Sequence, residues 1–322
     1  MLVPKTLQEA IQCFSDEQVC IDAVASMRWP DGPQCPECFA FKPYYIQTQK
    51  RWKCRACRRQ FSVKVGTIFE DSPISLQKWL PALWMICNCK NGVSSWELHR
   101  TLGVTQKSSW FMLHRLRLAI KNQSVFQIGG SEGGGPVEVD ETFVGGKLRN
   151  MHKEKKIRYE KRGGSHGKAV VMGLLDRDLR QVRARVIPDV TRLTLQNEVI
   201  REVKHGSKVY TDEAVGYDNL HQNFVHDVVN HAERYVEGLV HTNGIENFWS
   251  LLKRTLSGTY VAVEPFHLDR YIDEQAFRYN NRATKDNPLN DSDRFVAALA
   301  QVAGKRLTYK ELTGKTGATT PF

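Results

Sequence analysis

The sequence contains no hydrophobic run that approaches the length of a membrane-spanning helix, which needs about 20 consecutive apolar residues. Its N-terminus also lacks the basic segment followed by an apolar segment that marks a secretory signal peptide, because Lys5 is followed by Glu9 and Asp16. We therefore expect a cytoplasmic protein with no membrane partner.

Cysteine is scarce and internal repeats are absent. Eight cysteines in 322 residues are too few for a disulfide scaffold, so their spacing carries the information. Apolar residues make up 41% of the chain and aromatic residues 10%, which excludes a largely disordered protein. The length predicts two or three domains.

Acidic residues are outnumbered by basic ones. The 46 Lys and Arg against 35 Asp and Glu give a net charge of +11. Such an excess favours a polyanionic partner, and nucleic acid is the leading one. A merely soluble basic protein is the alternative, and the distribution of the charges has to decide between them.

Four of the cysteines form two closely spaced pairs. Cys35 and Cys38 are separated by two residues, as are Cys54 and Cys57, and fifteen residues lie between the pairs. This spacing predicts a zinc ribbon, in which two tight turns direct four thiolates at one structural Zn²⁺. Two disulfides are the alternative, but they require an oxidising compartment. The other cysteines are expected to be core or free thiols: Cys13, Cys20, Cys87 and Cys89.

Basic and aromatic residues surround this ribbon. Between Phe39 and Phe69 there are eight Lys and Arg and no acid, interleaved with aromatic side chains. That composition is typical of a DNA-binding surface, with Arg58 and Arg59 among the candidate contacts. A solvated basic face is the alternative.

Glycine and proline residues mark the boundaries between segments of the chain. We predict a helical lead-in at 1–30, the zinc ribbon at 31–70, a helical region at 71–127, a linker at 128–136, a catalytic domain at 137–285, and a C-terminal helix and tail at 286–322. The linker is predicted from five glycines and a proline in nine residues. No role can be assigned to residues 290–322.

The helical region resembles a helix-turn-helix. Helices are predicted at 75–89, 94–102 and 105–121, and the second begins with a capping box of Ser94 and Glu97 and ends at Gly103. The third carries basic residues without any acid, so we predict DNA contacts by Lys107, Arg115 and Arg117. An ordinary helical hairpin is the alternative.

The order of predicted elements in the second half of the chain indicates a mixed α/β sheet. Strands are predicted at 137–144, 168–176, 180–187, 207–212 and 225–230. Helices are predicted at 191–204, 243–256 and 266–282. The order of three strands, a helix and then alternating elements is typical of an α/β domain.

Three acids lie on these elements. The period of two places Glu138 and Asp140 on one face of the first strand, and Asp212 ends a later strand. Glu246 opens a helix at the edge of its apolar stripe, on the same side as Lys253. Three converging carboxylates suit Mg²⁺ or Mn²⁺, and two such ions can catalyse phosphodiester cleavage and transfer.

Each acid also has a structural interpretation. Asp140 is a candidate for pairing with an arginine, Asp212 for capping a turn, and Glu246 for a capping box with Asn243. Their joint occurrence behind a DNA-binding region favours the metal site. Other acids compete for the metal face: Glu138, Glu141 and Glu213. His231 and His241 are expected to be hydrogen-bonded structural histidines.

At these residues the chain resembles insertion-sequence transposases with an ISXO-like DDE domain, relatives of the Merlin elements. The resemblance covers most of the chain, through the ribbon and the segments VEVDETFVGG, YTDE, HTNGIENFWSLLKR and YIDEQAFRYNNR. It implies an RNase H-like α/β fold and a catalytic triad of Asp140, Asp212 and Glu246 with divalent metal. It also implies DNA contact by Lys253, with Arg254 beside it, while Asn243 and Asn247 stay open as the third ligand.

The expected function is therefore DNA transposition at the terminal inverted repeats of an insertion sequence. Double-stranded DNA is the expected partner, in a homodimer or larger assembly associated with the nucleoid. A DNA-binding regulator derived from a transposase and a structure-specific nuclease are the alternatives. The loop at 147–168 has nine basic and two acidic residues, including Lys155 and Lys156, and either clamps DNA or is simply solvated.

Overall fold

The computed structural model describes residues 3–121, 124–130, 135–146, 167–212, 215–229, 240–285 and 287–315. The chain forms two compact units. The first combines residues up to Lys121 with those from Asn281 onward, and the second extends to Asn280 between them. In the described segments, no helix has both the length and the apolar character to cross a membrane.

The N-terminal part of the first unit is mainly helical. Its elements are α1 (Leu7–Cys13), α2 (Glu17–Arg28), a three-stranded antiparallel sheet of β1 (Tyr44–Ile46), β2 (Arg51–Lys53) and β3 (Gln60–Phe61), then α3 (Leu76–Asn88), α4 (Ser95–Leu102) and α5 (Gln106–Ile120). Helices α3, α4 and α5 lie within one residue of their predicted ends.

Local capping explains these helix boundaries. The predicted capping box at α4 is confirmed, since the Ser94 hydroxyl accepts the Glu97 N–H and the Glu97 carboxylate accepts the Ser94 N–H. Gly103 then ends α4 in the left-handed conformation, with φ 60°. Thr105 caps α5 through the Ser108 N–H.

The second unit is built on a five-stranded mixed sheet. Its strands are β4 (Val137–Val144), β5 (Ala169–Asp176), β6 (Gln181–Ile187), β7 (Lys208–Asp212) and β8 (Val225–Val229), in the order β6-β5-β4-β7-β8. The first three strands are antiparallel, and β7 and β8 run parallel to β4. This order and these directions are those of the RNase H-like fold, as predicted.

Helices cover both faces of this sheet. They are α6 (Arg192–Glu202), α7 (Asn243–Thr255) and α8 (Leu268–Asn280). Val137 and Val139 belong to the core that contains Leu195 and Val199 of α6. The opposite face packs against the apolar stripe of α7 in a second core. The intervening residues of β4, Glu138 and Asp140, therefore point towards α7, as the period of two predicts.

Helix α8 protects the edge of the sheet at β6. The Asn280 side chain accepts the Val182 N–H at 2.7 Å and donates to the Val182 carbonyl at 2.9 Å. Asp269 accepts the N–H of Val186 at 2.8 Å. These bonds occupy backbone groups that an edge strand would otherwise leave open.

The structure differs from the predicted linker at 128–136. Ile128 is 2% exposed in the core beside α6 and pairs with Val203. The amides of Gly129 and Gly135 donate to the buried Asp176 carboxylate. The described parts of this segment are therefore built into the second unit, because Ile128 and the glycine amides find distant partners.

The C-terminal segment completes the first unit. It forms α9 (Asp291–Leu299) and α10 (Tyr309–Leu312). The ring of Phe295 contacts that of Phe14, with centroids 5.5 Å apart, and the Val302 carbonyl accepts the Ile68 N–H at 2.9 Å. The predicted C-terminal helix is found, and the described residues that follow it are ordered against the first unit.

Candidate functional site

Two of the predicted acids lie side by side on parallel strands. Strand β4 pairs with β7 so that Glu138 is level with Tyr210. Continuing that register by two residues places Asp140 beside Asp212, the last residue of β7. The predicted convergence of these two carboxylates thus follows from the parallel pairing of their strands.

Helix α7 approaches the same place from above the sheet. The Trp249 indole Nε1 donates to Asp140 Oδ2 at 2.9 Å. Glu246 lies one turn earlier on α7 and is exposed, and its Oε1 accepts from the Thr242 hydroxyl at 3.1 Å. Helical spacing puts Glu246 about 60° from Trp249 around the axis.

The approach of α7 depends on a glycine. Gly173 of β5 is opposite Asp140, and a Cβ at this position would lie 2.6 Å from the Trp249 ring. Any larger residue would push the indole away from the sheet. The glycine therefore permits the contact between Trp249 and Asp140.

Burial and neighbouring charges raise the pKa values of Asp140 and Glu141. Burial, followed by the charge of Glu141 and then of Asp212, raises the pKa of Asp140 to about 7, against the opposing hydrogen bond from Trp249. Burial and the charge of Asp212 also raise the pKa of Glu141. Buried acids that repel one another are stabilised by a cation. An all-oxygen donor set fits Mg²⁺ or Mn²⁺.

The carboxylate oxygens of the predicted triad lie farther apart than the ligand atoms of a compact metal site. In the described part of the chain, only the four ribbon cysteines form a set of three or more metal-binding side chains whose ligand atoms all lie within 4.8 Å of one another. The oxygens of Asp140, Asp212 and Glu246 are thus spread more widely. Such a spread is compatible with two ions about 3.5 to 4 Å apart.

The competing acids on β4 have other partners. Glu138 is 1% exposed, forms an ion pair with Arg177 at 2.6 Å and accepts the Ile245 N–H at 2.9 Å. It therefore fixes the start of α7 to the sheet. Glu141 points to the other face and accepts from the Tyr217 hydroxyl at 2.5 Å. Glu213 lies outside the described residues.

Arg177 links this network to His241. Its Nη2 lies 2.7 Å from His241 Nδ1, so His241 is a hydrogen-bonded histidine as expected. His231 lies outside the described residues. The sequence reading missed both Arg177 and the indole of Trp249 as parts of the site. Arg177 could have been predicted from the sequence, because it directly follows β5, the strand that pairs with the acidic strand β4.

The four ribbon cysteines have the arrangement of a metal site. The sulfurs of Cys35 and Cys57 are 3.7 Å apart and those of Cys38 and Cys54 are 3.5 Å apart. A tetrahedral site with Zn–S bonds of about 2.3 Å requires sulfurs about 3.8 Å apart, whereas a disulfide requires about 2.05 Å. These residues fit structural Zn²⁺.

The four cysteines differ in how readily they form thiolates. The backbone N–H of Cys57, followed by the other hydrogen-bond donors of the cluster, lowers the pKa of the Cys54 thiol to about 6. Against the backbone N–H of Arg59, burial and hydrogen bonds to the other three cysteines raise the pKa of the Cys57 thiol to about 12. The ribbon is supported by an aromatic cluster in which the ring centroids of Trp29 and Trp52 are 5.2 Å apart and those of Tyr45 and Trp52 are 4.8 Å apart.

The predicted DNA contacts divide into exposed and buried residues. Arg58, Arg59, Lys107, Lys253 and Arg254 are exposed. Arg59 forms an ion pair with the exposed Glu37, and Lys107 lies over the ring of Tyr309. Lys155 and Lys156 lie outside the described residues.

Arg115 and Arg117 require a correction. Arg115 is 4% exposed, and its guanidinium donates to the carbonyls of Ile68, Glu70 and Leu307. Arg117 is 1% exposed. Both side chains lie in the interior of the first unit, so the structure gives them no surface for DNA phosphates. The prediction that Arg115 and Arg117 contact DNA is therefore wrong.

An RNase H-like sheet and a four-cysteine ribbon are the two domains that the resemblance to DDE-type transposases predicts. Residues 133–280 match the ISXO2-like transposase domain, and residues 15–60 match the transposase zinc-ribbon domain. Both matches confirm the resemblance inferred from the sequence.

Three known proteins show similarity to this chain. An uncharacterized protein in transposable element ISH50 of Halobacterium salinarum is 27% identical over 259 residues, covering 77% of this chain and 85% of that protein. The catalytic core domain of BIV integrase is 10% identical, with a TM-score of 0.34, over 51% of this chain and 95% of that one. A chain of the simian T-cell lymphotropic virus intasome in complex with PP2A regulatory subunit B56 gamma is 12% identical, with a TM-score of 0.31, over 66% and 74%.

Proposed function

We propose that this protein is a DNA transposase that cleaves DNA at the ends of its insertion sequence and transfers the strands to a target. The observation that carries the proposal is the meeting of Asp140, Asp212 and α7, which the indole of Trp249 ties to Asp140 at 2.9 Å. The ISXO2-like transposase match over residues 133–280 supports it.

Asp140, Asp212 and Glu246 would hold Mg²⁺ or Mn²⁺, and bound metal would activate the attacking oxygen and stabilise the leaving oxygen of a phosphodiester. Trp249 orients the Asp140 carboxylate and opposes its protonation. Glu138 holds the N-terminus of α7, which keeps Glu246 close to the strand ends.

Double-stranded DNA is the proposed partner. Lys253 and Arg254 are exposed on the last turn of the helix that carries Glu246, where they are suited to bind phosphates near the reaction. Arg58, Arg59 and Lys107 offer cations on the first unit. We propose that the ribbon and the helical region recognise the element ends, and that a homodimer in the nucleoid acts on two ends together.

The test uses the purified full chain with Mg²⁺ or Mn²⁺ and duplex DNA from the regions that flank its gene. The wild type should produce strand breaks at defined positions and join the ends to a second duplex. Asp140→Asn, Asp212→Asn and Glu246→Gln should each reduce cleavage by about a thousandfold, because several kcal/mol of metal-dependent stabilisation is lost.

Asp227→Asn is the matched control, because Asp227 is exposed on β8, next to β7 in the same sheet. It should cleave as the wild type does. Sequence-specific DNA binding without any cleavage would favour the regulator. Cleavage of branched DNA without joining would favour the nuclease. Triad variants that cleave like Asp227→Asn would refute the assigned site.

A further inference from the structure

A strained and exposed turn follows the helix that carries Glu246. Residues Leu256–Tyr260 form a π-helical turn, and Val261 then adopts φ 63° and ψ −56°. The Ala262 N–H donates to the Tyr260 carbonyl at 2.7 Å, which closes a γ-turn around Val261. This positive-φ γ-turn is rare and strained, especially for a β-branched residue, and 79% of Val261 is exposed.

A buried polar network holds both ends of this π-helical turn. Glu274 and Arg278 of α8 form an ion pair, with side-chain exposures of 0% and 6%. At one end of the turn, the Tyr260 hydroxyl donates to Glu274. At the other end, the Thr255 hydroxyl donates to Gln275 at 3.3 Å, and Gln275 also accepts from Arg278 at 2.9 Å.

The strained turn and the buried ion pair both cost free energy of folding. Strained backbone persists only where its surroundings fix it, and a buried ion pair must offset the desolvation of two charges. An apolar anchor and a regular helix end would satisfy the fold without either cost. π-Helical turns with such support are frequent at functional sites. The network of α8 therefore fixes the two ends of the π-helical turn and, through Tyr260, the residue that precedes Val261.

The charge around the turn identifies the chemistry of its partner. Between Glu246 and the exposed Glu264, residues 247–263 include Lys253 and Arg254 and no acidic residue. Both side chains are exposed, and neither forms an ion pair within the segments that the structure describes. Lys253 lies within about 20° of Glu246 around the helix axis. Two exposed cations thus lie on the helix between Glu246 and the turn.

We infer that the turn centred on Val261 contacts the bound DNA, packing its apolar side chain against a sugar or base edge. The rise of the helix puts Val261 about 20 Å along the axis from Glu246, the length of roughly six base pairs. Lys253 and Arg254 bind the intervening phosphates. The inference rests on the proposed function, because it takes the DNA to pass Glu246.

Cross-linking tests the position of this contact. Val261→Cys is incubated with the duplex that the wild type cleaves, carrying a disulfide-tethered base at one position at a time. Leu193→Cys is the matched control, since Leu193 is 73% exposed in the same unit but lies on α6. The wild type, with its eight cysteines, sets the background.

The cross-link from Val261→Cys should peak roughly six base pairs from the cleaved bond, at about ten times the yield of Leu193→Cys. A yield equal to that control at every position would overturn the inference while leaving wild-type cleavage, and with it the proposed function, intact. Failure of the wild type to cleave any flanking DNA would instead overturn the proposed function.

The variant Val261→Gly distinguishes a DNA contact by Val261 from a purely structural role of this residue. Glycine relieves the strain, so the melting temperature should rise by about 2 °C. Loss of the apolar contact should nevertheless lower DNA cleavage about tenfold, with a normal response to Mn²⁺. A purely structural residue would change stability and activity in the same direction. Unchanged cleavage by Val261→Gly would overturn the inference.

Discussion

Replacing Gly173 by alanine should separate α7 from the sheet and weaken the candidate metal site. The new Cβ would lie 2.6 Å from the Trp249 ring and 2.9 Å from Ile245 Cδ1, whereas ordinary contact begins at 3.4 Å. The indole must therefore retreat by about 0.8 Å, which would stretch its 2.9 Å hydrogen bond to Asp140 beyond a useful length.

Two effects of Gly173→Ala can be given magnitudes. Overpacking costs about 1 to 3 kcal/mol, and alanine in a strand recovers about 0.5 to 1 kcal/mol, so stability should fall by about 1 to 2 kcal/mol. For a unit of this size, that lowers the melting temperature by about 3 to 6 °C. A shift of the helix near 1 Å should reduce DNA cleavage about a hundredfold.

Thermal melting with and without Mn²⁺, together with a cleavage assay, measures both effects. Gly146→Ala is the control, because a Cβ at Gly146 meets no heavy atom within 4 Å. Equal melting temperatures and equal cleavage rates for the two variants would refute the argument that Gly173 sets the distance between α7 and Asp140.

Three further changes test other parts of the structure. Cys57→Ser should abolish stoichiometric zinc, measured by metal analysis, and make the first unit sensitive to protease at temperatures that the wild type resists. Burial raises the pKa of Asp140 to about 7, above its unfolded value near 4, so without added divalent ions the stability should fall as the pH rises between these values. Asp140→Asn should remove that slope in melting curves, and an unchanged slope would contradict the cause given. Arg115→Gln should lower stability by about 3 kcal/mol in denaturant unfolding, because buried carbonyls lose a charged donor, whereas Lys107→Gln on the same helix should be neutral.

Local patterns predicted most elements of this fold because their signals are short in sequence. The capping box at Ser94 and the glycine at 103 fix α4 from within a few residues. The period of two on β4 predicted which face Asp140 occupies, and the end of β7 at Asp212 followed from its apolar run. Parallel pairing of these strands then brought the two acids together.

Contacts between distant segments account for what the sequence reading missed. From the sequence, Arg115 resembles a DNA contact. In the structure, its guanidinium instead donates to the carbonyls of residues 68, 70 and 307. From the sequence, Glu138 resembles a metal ligand. In the structure, its carboxylate instead binds Arg177 and the N–H of Ile245 at the start of α7. Periodicity assigns a residue to a face, but it does not identify the partner that covers that face.

The return of the C-terminal segment to the first unit has a consequence for synthesis. Val302 bonds to Ile68, and Phe295 packs on Phe14, so the ribosome must finish the whole second unit before the first can close. Until then, Ile68 lacks its backbone partner and Phe14 lacks the ring that packs on it, and an incomplete unit of this kind exposes apolar surface. A message that terminates early, near residue 285, would therefore yield a protein whose sheet is complete but whose zinc-ribbon unit is left without its closing helices.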